Sequence, residues 1–257
     1  MSEYPSFPGV EPYGTQRSIE DERAHRKRVC AIGYRIFGAM RWGQLGDGHI
    51  SARDPERTDH FWLLDWGVPF HAATVDALVL VGPDGSVKND AGEATGAVNT
   101  AGYNIHSPLL AARPDVVSAA HTHTQFGTPW SATVRPFRAI SQESCAFVFD
   151  QAMFDDEEVE VLSHDGGKRI AASLGDHKFV ILRNHGLLTV GATVESAIGW
   201  FVTAERVAEV HVKAVDAVPI SDAAARVAAT TLEPDEVGWR LYQWLQRSLV
   251  PDPTVVD

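Results

Sequence analysis

Cysteine is scarce in this chain. Cys30 and Cys145 are the two present in 257 residues, in unrelated contexts and without a CxxC spacing. A disulfide framework and a cysteine zinc site are therefore not expected. Positive charge is scarce too: 22 Lys and Arg stand against 34 Asp and Glu, for a formal net charge of −12. The densest cationic run, Arg23, Arg26, Lys27 and Arg28, is interleaved on a predicted helix. The basic face that a phosphate-backbone binder needs is missing, so nucleic acid is not an expected partner. Apolar runs stay well short of the roughly 18 residues of a membrane span. Residues 1–17 carry Pro, Gly and Ser but no apolar signal-peptide core. Repeats and low-complexity tracts are absent as well. These absences predict a cytoplasmic protein with no membrane partner.

What remains is globular in composition, 44% hydrophobic and 22% charged, and long enough for one large domain or two small ones. The first 17 residues read as an extended arm. Ser18 followed by Asp21 reads as a capping box that opens a helix over 19–41, with Val29, Ile32, Gly33, Ile36, Phe37 and Met40 at helical spacing. After Gly43, Gly46 and Gly48, strands are predicted at 49–53, 61–64 and 77–81, and Pro83-Asp84-Gly85 turns the chain into the next strand. A helix over 101–112 leads to a buried strand over 116–120, with His121 at its end. Further helices are expected near 125–129, over 168–174, from the Thr193 cap to about Ala214, and over 233–248. Strands at 179–182 and 187–190 flank an Asn184-His185-Gly186 turn. The mixing of strands and helices without an internal linker predicts a single α/β domain over 1–257, its last part, 216–257, a C-terminal helical tail.

His121-Thr122-His123 is the sharpest local feature. In an extended segment, residues i and i+2 point to the same face, so the two imidazoles project side by side. That suits two ligands of one metal; it also suits two histidines on the rim of a core. Imidazole serves zinc, iron, copper and nickel, and three such ligands leave positions open for water or substrate. His185, on a turn 62 residues beyond His123, is the candidate third ligand. The spacing permits convergence without requiring it. His49, His71, His106 and His177 have no paired partner and read as hydrogen-bonded structural residues.

Longer stretches carry a resemblance. HSPLLAARPDVVSAAHTHT over 106–124, ILRNHGLLTVG over 181–191, the following helix with Trp200 and Glu205, and GDGHISARDPE over 46–56 together resemble the class II aldolase/adducin family across about 19–215. The resemblance implies a three-layer α/β/α fold with a central, mostly antiparallel sheet. It implies one divalent metal per chain (zinc, manganese or ferrous iron) on His121, His123 and His185, a small-molecule substrate, and a homo-oligomer, expected to be a tetramer with sites at subunit interfaces. The departures matter as much. Sugar-phosphate aldolases of the family carry a catalytic Glu one helical turn before the residue matching His106; here that position is Gly102. Their phosphate-binding Asn and serine pair are replaced by Gly48-His49-Ile50-Ser51 and Ala97-Val98-Asn99-Thr100. Adducin also lacks the Glu and is cytoskeletal.

The expected function is therefore a metal-dependent lyase, of decarboxylase or aldolase type, acting on a non-phosphorylated, carboxylated, hydroxyaromatic substrate. The alternatives are a non-haem ferrous oxygenase, as in aminocoumarin ring formation, and a non-catalytic adducin-like module. Glu143 is a candidate replacement acid/base. His49 and Arg53 are candidates to bind a substrate carboxylate, Arg offering a bidentate fork. Phe61, Trp62, Trp66, Phe70, Phe126 and Trp130 are candidate walls for a planar substrate.

Overall fold

Ser18 sets the start of the first helix. Its side chain accepts the Asp21 N–H, and Glu20, Asp21 and Glu22 fill the first turn of α1 (Ile19–Ala39), where carboxylates suit the helix dipole. The computed structural model describes residues 6–89 and 91–257. After α1 come β1 (Gly48–Ile50), β2 (Ala52–Arg53), β3 (Phe61–Leu64), β4 (Leu78–Val81) and β5 (Val87–Lys88). The helix α2 (Thr100–Ala112) leads to β6 (Ser118–Thr122) and the short α3 (Gly127–Ser131). Then follow β7 (Ala152–Phe154), α4 (His164–Leu174), the hairpin β8 (Phe179–Leu182) and β9 (Gly186–Gly191), and the helices α5 (Val194–Lys213), α6 (Asp222–Leu232) and α7 (Asp235–Leu249).

The strands form a five-stranded array β1-β6-β9-β8-β7 and a four-stranded array β2-β3-β4-β5. Among the described residues β7–β8 is the parallel pair and the other pairings are antiparallel. The strand expected over 49–53 is divided at Ser51, where the chain passes from one array to the other. The two stay joined there: Ser51 N–H donates to Ala119 O at 2.9 Å and Arg53 N–H to Val117 O at 2.8 Å.

β3, β4, β6, β8 and β9 are buried on both faces, as a central layer requires. Phe179 and Ile181 of β8 face a core shared with Ile36, Phe37, Ile198 and Phe201 of α1 and α5. Val180 and Leu182 face the opposite core, with Ile105, Leu109, Ile170 and Leu174 of α2 and α4. Helices thus cover both sides of a central, mostly antiparallel sheet. Cys30 and Cys145 are free and buried. No helix among the described residues is long and apolar enough to cross a membrane.

β7 was not among the predicted strands, and the chain departs from expectation in two further places. α6 falls in the expected helical tail but had no predicted bounds, because its sequence is rich in alanine and buries only Ala225 and Ala229. The N-terminal arm, whose first five residues lie outside the described residues, was expected to have no core of its own to join. Phe7 is instead buried against Trp239 and Trp244 of α7, with ring centroids 6.2 and 5.4 Å away, and Arg247 donates to Pro8 O.

Candidate metal centre

β6 places His121 between two neighbours: His49 of β1 on one side and Leu188 of β9 on the other. Directly opposed residues share a face of the sheet, so His49 and His121 both lie on the side covered by α2. β6 ends at Thr122 and leaves His123 just beyond it. The β8–β9 hairpin brings in the third ring. Asn184 adopts φ 54°, a left-handed conformation that Asn tolerates, and His185 N–H closes the turn on Leu182 O at 3.0 Å. Gly186 follows because a Cβ there would stand 3.3 Å from His121 Cε1.

The three rings converge. Centroid separations are 4.8 Å for His121–His185, 5.0 Å for His123–His185 and 5.5 Å for His121–His123, with interplanar angles of 78–81°. One nitrogen from each lies within 4.8 Å of the others. Leu187 O sits 2.7 Å from His121 Nδ1. A carbonyl only accepts, so Nδ1 carries the proton and Nε2 keeps its lone pair. Burial, reinforced by the neighbouring imidazoles, pushes His121 well below the ordinary histidine range and His185 down to about 4. Both rings are therefore neutral near pH 7, the form that ligates metals. Three converging imidazoles fit a divalent first-row ion.

The cluster opens onto a cleft of about 790 Å³ that also touches Asp47, Asn99 and Asn184. Beside it lies a second cavity of about 580 Å³, walled by Trp42, Leu64, Val68 and Phe70. His49, Trp66 and Leu45 border both. Of the six candidate wall aromatics, Trp66 and Phe70 line this space. Phe61 and Trp62 are in the core, and neither Phe126 nor Trp130 borders either cavity.

The other candidates separate. His49 is buried beside the three histidines. Its Nδ1 is 2.6 Å from His106 Nε2, and its ring lies over Gly102, where a Cβ would meet His49 Cδ2 at 3.0 Å. Arg53 is elsewhere. Its guanidinium donates to the carbonyls of Val116, Thr58, Leu110 and Arg113 at 2.6–2.8 Å, tying the end of α2 to the start of β6, with no fork left for a carboxylate. Glu143 sits on a short 3-10 turn, half exposed, 3.7 Å from Arg206, and borders neither cavity.

Two residues near the cluster had no assigned role. Asp47 Oδ2 is 3.7 Å from His123 Nδ1. Glu205, buried on α5, accepts from Thr124 Oγ1 at 2.6 Å, Phe126 N–H at 2.9 Å and Gly127 N–H at 2.7 Å. It thereby clamps the segment that follows His123. In the sequence Glu205 stood out only as part of the family-like helix with Trp200, which gave it no role.

A family model described as the class II aldolase and adducin N-terminal domain matches residues 27–212. The chain belongs to the class II aldolase and adducin family. A family relative from Streptomyces roseochromogenus subsp. oscitans, named 4-hydroxy-3-prenylphenylpyruvate oxygenase/4-hydroxy-3-prenylbenzoate synthase, is 35% identical over 232 residues, covering 89% of this chain and 83% of that one. Decarboxylase NovR from Streptomyces niveus is 36% identical over 238 residues, 91% and 87% of the two chains. Among solved class II aldolase structures, an L-fuculose 1-phosphate aldolase from Glaciozyma antarctica PI12 superposes with a TM-score of 0.83 at 33% identity, over 94% of this chain and 96% of that one.

Proposed function

We propose that this class II aldolase family member is a metal-dependent enzyme that cleaves a C–C bond beside a carboxylate in an oxygenated aromatic acid. The observation that carries this reading is the three-histidine cluster opening onto a cleft that continues into an apolar cavity bordered by Trp42, Trp66 and Phe70. His121, His123 and His185 would hold the metal. When bound, a divalent ion there supplies Lewis-acid stabilisation to negative charge developing on a substrate oxygen. The chain's own side chains hold an aromatic body against Trp66 and Phe70 and shield it from water. Loss of carbon dioxide needs an electron sink more than a base, which agrees with Gly102 standing where the family's aldolases carry their Glu. The space for such a side chain is taken by the His49 ring. A purely structural module has no need of three converging imidazoles.

A second reading, an oxidative cleavage using ferrous iron and dioxygen, is favoured by the relative named as an oxygenase and benzoate synthase. One experiment separates these readings. Hydroxylated aryl carboxylates and arylpyruvates are assayed beside fuculose 1-phosphate, with zinc, manganese or ferrous iron, with and without air. Carbon dioxide release without oxygen uptake supports the lyase. Strict dependence on ferrous iron and oxygen supports the second reading. Turnover of the sugar phosphate alone overturns both.

A further inference from the structure

We propose that His49 is a fixed hydrogen-bond donor to the substrate, presenting its Nε2–H to the cleft because a buried relay through His106 and Ser51 dictates its tautomer. The relay starts at the main chain. Ala119 N–H donates to Ser51 Oγ at 3.2 Å. Ser51 Oγ also lies 2.6 Å from His106 Nδ1, and Ser51 is fully buried. Its hydroxyl proton has His106 Nδ1 as its acceptor; the reverse assignment would leave a buried O–H with nowhere to donate. His106 Nδ1 therefore accepts, and its single proton sits on Nε2. That N–H donates to His49 Nδ1 at 2.6 Å. His49 Nδ1 accepts in turn, so the His49 proton sits on Nε2.

The geometry aims that proton. His49 and His106 are buried, and their rings meet edge to face with centroids 4.5 Å apart. With Nδ1 turned to His106, Nε2 is the ring nitrogen left without a partner among the described residues, and His49 lines both cavities. The Cγ–Cδ2 side of the ring lies over Gly102, and the ring centroid stands 5.0 Å from that of His121. An Nε2 that carries a proton cannot be a fourth metal ligand. It can polarise a carboxylate, carbonyl or phenolic oxygen held beside the three-histidine cluster. This inference rests on the reading of the cleft as an aryl-acid site, and its test separates the two.

The full-length chain with zinc added is labelled with 15N at histidine, and ring tautomers are read from long-range N–H correlations. His49 and His106 are expected as Nε2–H, and Ser51→Ala, which is remote from the cleft, is expected to shift His49 toward Nδ1–H. A wild-type His49 protonated at Nδ1, or showing a metal-bound Nε2, overturns the proposal, as does an unmoved tautomer in Ser51→Ala. In parallel, calorimetry measures 4-hydroxybenzoate binding. His49→Gln, which keeps a donor, should stay within about threefold of wild type, and His49→Phe should bind about tenfold more weakly. Equal affinity in both variants overturns the contact with substrate. No binding to the wild type overturns the substrate reading, while the tautomer measurement still decides the relay.

Discussion

A histidine binds a metal through a nitrogen that carries no proton, and for His121 a main-chain carbonyl settles which nitrogen that is. Leu187 O holds the His121 proton on Nδ1. Single replacements His121→Ala, His123→Ala and His185→Ala are each expected to lower metal content from one per chain toward zero while far-UV circular dichroism stays native. Full occupancy by elemental analysis in any of them would remove that residue from the ligand set. Burial has a second consequence at His106, whose pKa is pushed down to about 3 by desolvation and then by His121. Between about 6.5 and 3 the unfolded chain binds a proton that the folded chain does not. Stability therefore falls as pH drops through that window and is unaffected by this group above it. In metal-free protein, urea midpoints should decline from pH 7.5 to pH 5, and His106→Gln should flatten that decline. A slope unchanged in the variant would show that His106 does not bear the effect.

At the level of elements, the site is a junction of a sheet end, a hairpin turn and a helix. α5 reaches it through Glu205, whose burial raises its pKa against three stabilising hydrogen bonds. Glu205→Ala leaves the N–H groups of Phe126 and Gly127 without their acceptor, a loss of about 2–4 kcal/mol. A Tm lower by roughly 5–10 °C is expected, with metal affinity weakened about tenfold as the segment after His123 loosens. Thermal unfolding and metal titration check both; a Tm within a degree of wild type would show the clamp to be idle. The same level shows why Arg53 was misjudged. Its guanidinium and its place in the family-like loop string over 46–56 suggested a carboxylate fork, but its partners are four main-chain carbonyls, one before β3 and three from the end of α2 to the start of β6. Carbonyls belong to every residue, so no sequence pattern announces them.

For the whole molecule, the mouth of the cleft carries two large apolar side chains in the open, Leu45 at 93% and Trp66 at 60% exposure. Family membership and this rim together predict a homo-oligomer, expected as a tetramer. Phe7 of the N-terminal arm packs on α7 of its own chain. Sedimentation velocity at micromolar concentration should give a species well above 28.0 kDa; a monomer there would contradict it.

By itself the sequence determined the α/β class, many of its elements and the candidate ligands, while the layering came only with the family resemblance. Apolar period and turn chemistry are local, so α1, the β8–β9 hairpin and the Thr193 cap are readable from neighbouring residues, and His121-Thr122-His123 carries its own geometry in a two-residue repeat. Tertiary structure alone decided what lies between those pieces. It divided 48–53 between two arrays at Ser51. It seated the His49 ring over Gly102, and it joined His49 to His106, 57 positions apart, in a buried relay. Those outcomes depend on which backbone atoms and empty volumes come to face a side chain, and packing fixes these only once every element is in place.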